Sequence, residues 1–142
     1  MNSAGAELAV AIGHHAAGRL DEAAQIYQRL HAANRRDSEV LYLQGVLCCD
    51  LGLFEQARLF LEEALVHAPA FPEARLQLAV AQSSLGGIAL QQGDAAAAES
   101  QLVASLAHRP RHAQTLNWLG LARVQLANYA SAEEPLRQAL EL

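Results

Sequence analysis

Small residues recur along this chain at a nearly constant spacing. Gly18 and Gly52 lie 34 residues apart, Gly52 and Gly93 lie 41 apart, and Ala98 and Ala132 are again separated by 34. A fixed period in the range of roughly 20 to 50 residues is typical of stacked copies of one supersecondary unit, none of which buries its apolar face alone. The repeat therefore constrains the architecture before composition is considered.

Each copy is predicted to form two helices joined by a short turn. A small residue ends the first helix, and the second begins two positions later, at Gly18 and Leu20, Gly52 and Phe54, Gly93 and Ala95, and Ala127 and Tyr129. In each second helix a small residue precedes a larger one by four positions, which gives one face a notch and a knob for antiparallel packing. These pairs are Ala23 and Tyr27, Ala57 and Leu61, Ala98 and Leu102, and Ala132 and Leu136.

The 41-residue interval gives the third copy seven residues more than the others. Seven residues add about 10.5 Å and nearly two whole turns to a helix, so its apolar face is preserved. We therefore predict a first helix running from Pro72 to Gln92, two turns longer than the other first helices. The alternative is a kink or break at Gly86-Gly87, because two glycines inside a helix together cost about 2 kcal/mol.

With Leu85-Gly86 and Leu119-Gly120 in first helices and Pro69 and Pro110 just past second helices, the chain resembles the tetratricopeptide-repeat family. The resemblance implies an all-α fold, a right-handed superhelical solenoid of about four hairpins and eight helices. The copies span approximately 4–37, 38–71, 72–112 and 113–142 of a single domain over 1–142, which we expect to be a fragment of a longer protein.

The chain departs from the family pattern at several positions. Gln44 replaces a leucine in the second copy. Leu116, rather than Trp118, occupies the slot of the family's large residue, so Trp118 is expected to point elsewhere. Pro135 lies inside the last helix, where it removes a hydrogen bond and is expected to bend the helix.

Composition excludes several classes of function. The net charge is −5 and all ten basic residues are arginine, so a broad nucleic-acid footprint and lysine chemistry are both missing. The adjacent Cys48 and Cys49 form no metal or disulfide motif and are expected to be small buried hydrophobes. No stretch indicates a signal peptide or a membrane span, so we expect a cytoplasmic protein without membrane partners. The acidic net charge predicts no nucleic-acid partner, and the alanine- and arginine-rich, lysine-free composition is typical of a bacterial protein.

The titratable residues do not form a catalytic or metal-binding pattern. His31, His67 and His108 recur near the ends of second helices, where a positive side chain suits the helix dipole. Adjacent acids such as Glu62 and Glu63 follow the helical repeat and are expected to face solvent. We therefore predict a protein that is not an enzyme and that has no cofactor and no metal site.

What remains is a surface for a protein or peptide partner. Members of the family bind extended peptides or helices in a concave groove lined by the first helices, and transfer by repeat register predicts an apolar groove here. Its residues are Leu8, Ile12 and His15 from the first copy, Tyr42, Leu43, Val46 and Cys49 from the second, and Asn117, Trp118, Leu121 and Gln125 from the fourth. The predicted function is a non-enzymatic protein-interaction scaffold.

A second hypothesis is an arm of a larger enzyme. The stretches 14–27 and 40–45 are similar to the opening of bacterial multi-repeat proteins whose repeats precede a glycosyltransferase or sulfotransferase domain. Such an arm would recruit substrate or support oligomerisation. The last helix lacks a polar cap, which solenoids require, so self-association through this helix is a further hypothesis.

Overall fold

The computed structural model describes residues 3–142, and over that range it contains eight α-helices and no strand. They are α1 (Ser3–Ala16), α2 (Leu20–Ala33), α3 (Ser38–Asp50), α4 (Phe54–His67), α5 (Pro72–Gln91), α6 (Ala95–His108), α7 (Ala113–Gln125) and α8 (Tyr129–Glu141). The chain divides between Ala74 and Arg75 into two compact units. The all-α helical-repeat fold predicted from the sequence is confirmed.

The first helix of every copy ends two residues before the small residue that the repeat singles out. Gly18, Gly52 and Gly93 adopt positive φ angles of 78°, 74° and 79°, and Ala127 adopts 58°. This left-handed conformation turns the chain tightly after a helix, and glycine reaches it without a steric cost. Each second helix then begins at the predicted residue, so local backbone chemistry determines these boundaries.

In the first unit, α1 and α2 form one hairpin, α3 and α4 form a second, and α2 packs against α3. Ala23 and Tyr27 of α2 and Ala57 and Leu61 of α4 are fully buried, as their spacing predicts. A Cβ placed on Gly45 of α3 would lie 2.5 Å from Cγ of Leu61. Glycine is therefore needed at this position because α3 and α4 approach each other so closely.

Helix α5 is continuous through both central glycines and has 20 residues, seven more than α3 or α7. The long helix predicted from the repeat spacing is confirmed, apart from a one-residue difference at its end. In the second unit, a Cβ on Gly86 would lie 2.5 Å from Cγ of Leu102, and one on Gly87 would lie 2.8 Å from Cη2 of Trp118. The two glycines are therefore contact positions for neighbouring side chains.

Helix α8 continues past Pro135, which is buried in the second unit. Proline has no N–H, so the carbonyl of Ser131, four residues earlier, loses its usual helical donor. Nη1 of Arg123 in α7 donates to this carbonyl at 3.0 Å, and Nε of the same side chain donates to Glu99 in α6 at 3.0 Å. One guanidinium thus satisfies the carbonyl that the proline leaves unpaired and links three helices.

Candidate functional site

In the first unit, the predicted groove residues of α1 and α3 all retain accessible surface. Ile12 is 42% exposed. The other members are half-buried: Leu8, His15, Tyr42, Leu43, Val46 and Cys49. We call these seven residues the first-helix face of this unit. Leu8 and Leu43 also pack against the buried cluster that contains Ala11 and Tyr27, so the face is accessible only in part.

His15 is held by hydrogen bonds within the unit. Its Nε2–H donates to Oδ2 of Asp50 at 2.6 Å, which leaves Nδ1 to accept from the hydroxyl of Tyr27 at 3.3 Å. Only 13% of the His15 side chain is accessible. The imidazole therefore joins α1 to α2 and α3, and it contributes little surface to the first-helix face.

Cys49 is the one cysteine on this face. Burial, followed by the charge of Asp50 and the neighbouring Cys48, raises the pKa of its thiol to about 11. The thiolate is the reactive form of cysteine, so this residue stays protonated and unreactive near neutral pH. Cys49 contributes apolar surface to the face.

A cavity of about 460 Å³ opens beside Tyr42. It lies between the start of α3, the loop after α4 and the start of α5. Its lining includes an aromatic pair, which we call the aromatic floor: the rings of Tyr42 and Phe71 lie 5.0 Å apart at a tilt of 52°. The remaining lining residues are Ser38, Glu39, Leu43, Ala68, Ala70 and Glu73. We call this cavity the Tyr42 pocket.

The charge around the Tyr42 pocket is negative. Burial, and then the nearby carboxylate of Glu73, raise the pKa of the Tyr42 hydroxyl. Glu39 and Glu73 are both exposed, and none of the eight lining residues is basic. The pocket therefore combines aromatic surface with two carboxylates, a combination suited to an apolar or cationic group.

Sequence reasoning identified Tyr42 and Leu43 but missed Phe71, Glu39 and Glu73. Phe71 lies in the connection between α4 and α5, and nothing in the helical period marks it as a partner of Tyr42. The one available signal was its place just before Pro72, which begins α5 and fixes the direction of the chain there.

In the second unit, the predicted residues all lie on α7. Leu121 is 43% exposed, Asn117 and Gln125 are also exposed, and Trp118 is half-buried. The indole of Trp118 lies over Gly87 of α5, while Leu116 is only 4% exposed and fills the slot of a large core residue. Trp118 thus has a packing role and still presents part of its ring to solvent.

The start of α7 is held by a polar network in the same unit. Nδ1 of His112 accepts from the hydroxyl of Thr115 at 2.7 Å and lies 3.4 Å from its amide nitrogen. The Thr115 hydroxyl lies 2.8 Å from that of Ser83. Burial, followed by the charge of Arg109, lowers the pKa of His112. The neutral imidazole therefore acts as the N-cap of α7.

Two classes of site are missing from the part of the chain that the structure describes. Among residues 3–142, no three histidine, cysteine, aspartate or glutamate side chains come close enough together to hold a metal ion. Within the same range, no helix combines the length and the hydrophobicity that crossing a bilayer requires.

Comparisons with known proteins agree with the repeat structure. The family model described as tetratricopeptide repeat matches residues 11–75 and 84–142. No curated protein is similar enough to count as a match.

Solved structures share the fold at low sequence identity. A structure of MamA MSR-1 aligns with a TM-score of 0.67 and 18% identity, over 95% of this chain and 74% of its own. A thermophilic TPR protein of Thermus thermophilus aligns with a TM-score of 0.58 and 26% identity, over 98% and 74%. PilF of Pseudomonas aeruginosa aligns with a TM-score of 0.65 and 19% identity, over 97% and 60%.

Proposed function

This chain belongs to the tetratricopeptide-repeat family, whose fold is typical of protein-interaction scaffolds, and we propose that it is a non-enzymatic module binding a peptide or helix of a partner protein. The first-helix face of the first unit is the proposed contact surface. The exposed residues of α7 are proposed to contact a partner in the same way.

The Tyr42 pocket is the observation that carries this proposal. It offers about 460 Å³ beside a pair of aromatic rings at the start of α3, a helix that also buries Leu41 and Leu47. Concave, mainly apolar cavities with a few polar groups are the usual form of a binding site. Buried aromatic anchors dominate the energetics of protein interfaces, so Tyr42 is expected to supply much of the binding energy.

The titratable residues of the face support binding rather than catalysis. The Cys49 thiol is held in its protonated form. Both ring nitrogens of His15 form hydrogen bonds, one with Asp50 and one with Tyr27. Neither side chain is therefore arranged to take a proton from a bound substrate or to attack it.

Peptide selection from a display library against the purified chain tests the proposal. The affinity of the selected peptides is then measured by fluorescence anisotropy for wild type, Tyr42→Ala and Val66→Ala. Val66 is the matched control because it is an apolar side chain, 73% exposed, on the second helix α4. We expect Tyr42→Ala to weaken binding at least tenfold, the effect of an interface hot spot, and Val66→Ala less than twofold. Peptides sensitive to Val66 and indifferent to Tyr42 would contradict the proposal.

Self-association through α8 remains a second proposal. Leu140 is 89% exposed and Leu142 is 51% exposed, and a cavity of about 350 Å³ opens near Leu142, Gln138 and Pro110. Exposed apolar side chains of this kind favour contact with another chain. Sedimentation at several concentrations tests the idea, and a monomer at high concentration would remove it. The hypothesis that the chain is an arm of a larger enzyme stays a prediction, and the reading frame downstream in the native gene tests it. The cytoplasmic location also stays a prediction.

A further inference from the structure

The Tyr42 pocket has a chemistry that points to one kind of side chain. We propose that it receives the guanidinium of an arginine, followed or preceded by an apolar residue, in a partner peptide. This inference rests on the proposed function, because it names the partner chemistry of the same surface. Three features of the pocket carry it: the aromatic floor, the carboxylates and the helix ends around it.

The aromatic floor suits a planar cation. The Tyr42 and Phe71 rings lie 5.0 Å apart with a tilt of 52°, so they form an angled floor rather than a closed stack. A guanidinium placed over an aromatic face is attracted by the negative face of the ring, and its planar shape allows it to stack. The apolar stem of arginine is accommodated by Leu43 and Ala70, which line the same cavity.

The ion pairs formed within residues 3–74 do not include the two carboxylates of the pocket. Arg58, for example, pairs with Glu55 and Glu62 rather than with Glu39 or Glu73. Glu73 lies close enough to Tyr42 for its charge to affect the phenol. A cation in the pocket would therefore meet two available negative charges.

The helix ends around the pocket offset only part of that negative charge. At the positive end of α3, Oδ1 of Asp37 accepts from the amides of Glu39 at 3.1 Å and Val40 at 3.2 Å, so the carboxylate of Asp37 already balances those donors. Pro72 removes one amide donor from the first turn of α5, and the partial positive charge of the other donors there remains. Ala68, the C-cap of α4, lines the cavity, and the carboxyl end of a helix carries partial negative charge. The pocket is therefore electrostatically complementary to a cation.

The competing occupant is an acidic peptide, which basic residues near the pocket would favour. The arginines nearest in sequence to the lining residues are Arg36, two positions before Ser38, and Arg75, two positions after Glu73, and neither of them lines the cavity. The whole chain carries a net charge of −5, which repels acidic ligands at long range. An acidic peptide is accordingly an outcome that the experiment must distinguish.

Two capped dipeptides isolate the contribution of the charge. Ac-Leu-Arg-NH2 and Ac-Leu-citrulline-NH2 have nearly the same shape, but citrulline is neutral. Each is titrated into the full chain labelled with ¹⁵N, and amide shifts around Tyr42 and Phe71 give the Kd. We expect the arginine dipeptide to bind about 3- to 10-fold more tightly than the citrulline dipeptide, and this ratio to fall as salt is raised.

Substitutions in the chain then assign the effect to residues. Glu39→Gln and Glu73→Gln are each expected to weaken the arginine dipeptide about 2- to 5-fold, the range for exposed charge pairs, and to leave the citrulline dipeptide unchanged. Glu22→Gln, an exposed acid of α2, is the matched control and is expected to change neither. Phe71→Leu keeps apolar volume but removes the ring, so it is expected to reduce the preference for arginine.

The possible results separate this inference from the proposed function. Equal binding of the two dipeptides, no binding of either, or tighter binding of Ac-Leu-Glu-NH2 would overturn it, as would an arginine preference that survives the Glu39→Gln/Glu73→Gln double variant. If display-selected peptides depend on Tyr42 while arginine is not preferred, only this inference fails. If the arginine dipeptide binds the pocket while selected peptides ignore Tyr42, only the proposed function fails.

Discussion

Replacing Gly87 with alanine tests how strictly a neighbouring side chain determines a residue in the middle of α5. The added methyl group would lie 2.8 Å from Cη2 and 2.9 Å from Cζ3 of Trp118. Carbon atoms in contact prefer separations of about 3.5–4.0 Å, so the indole must move by several tenths of an ångström or more. Since Trp118 is half-buried, it can move only partway without losing its own contacts.

Two opposing terms determine the expected change in stability. Overpacking costs typically about 1–3 kcal/mol, whereas glycine to alanine inside a helix gains up to about 1 kcal/mol. We therefore expect Gly87→Ala to destabilise the chain by about 1 kcal/mol, with an upper bound near 2. In a Trp118→Leu background the clash is removed, and the same substitution is expected to stabilise by up to about 1 kcal/mol. The change of sign is the diagnostic result.

Urea unfolding followed by circular dichroism at 222 nm provides the assay, because Trp118 is the only tryptophan and its fluorescence is lost in the second background. Gly13→Ala is the matched control: Gly13 is also helical, but no atom lies within 4 Å of its added Cβ. It is expected to stabilise by roughly 0.5–1 kcal/mol in both backgrounds. If Gly87→Ala stabilised the wild-type chain as much as Gly13→Ala does, the packing argument would be refuted.

Three further predictions concern helix ends in the second unit. Ala127 has a φ of 58°, a conformation that glycine adopts without strain, so Ala127→Gly is expected to stabilise the chain by about 1 kcal/mol. Gly93→Ala places a side chain in the same conformation and is expected to destabilise the chain by a similar amount. Thermal unfolding measures both changes. The pKa of His112 is lowered in the folded state, so the unfolded state binds the proton first as pH falls, and the free energy of unfolding should decline below about pH 6.5. Asparagine can cap the helix but does not titrate, so His112→Asn should flatten this part of the pH profile. An unchanged slope would show that His112 is not the cause of the decline. Arg123→Met is expected to lower the free energy of unfolding by about 1–2 kcal/mol, because the carbonyl of Ser131 loses its donor. The loss should be smaller in a Pro135→Ala background, where the amide of residue 135 can donate to that carbonyl. Equal losses in a double-mutant cycle would contradict this role of Arg123.

Much of the fold was predictable because its determinants are local. Gly52 ends α3 through its own backbone freedom, and the spacing of Ala57 and Leu61 gives α4 its buried stripe. The length of α5 followed from the same arithmetic, since an extra seven residues add whole turns and keep a helix in phase. The first two inferences needed information from within one or two helical turns, and the third needed the interval between copies; the sequence contains both.

The tertiary structure alone decided which distant residues meet. The contact of Trp118 with Gly87 joins residues 31 positions apart, and the Tyr42 and Phe71 rings are separated by 29 positions. No periodicity assigns such pairs, because they depend on how the side chains of successive helices interlock. The sequence by itself therefore determined the helices, their ends and the family; the packing of those helices decided that Glu39, Glu73 and Phe71 surround Tyr42.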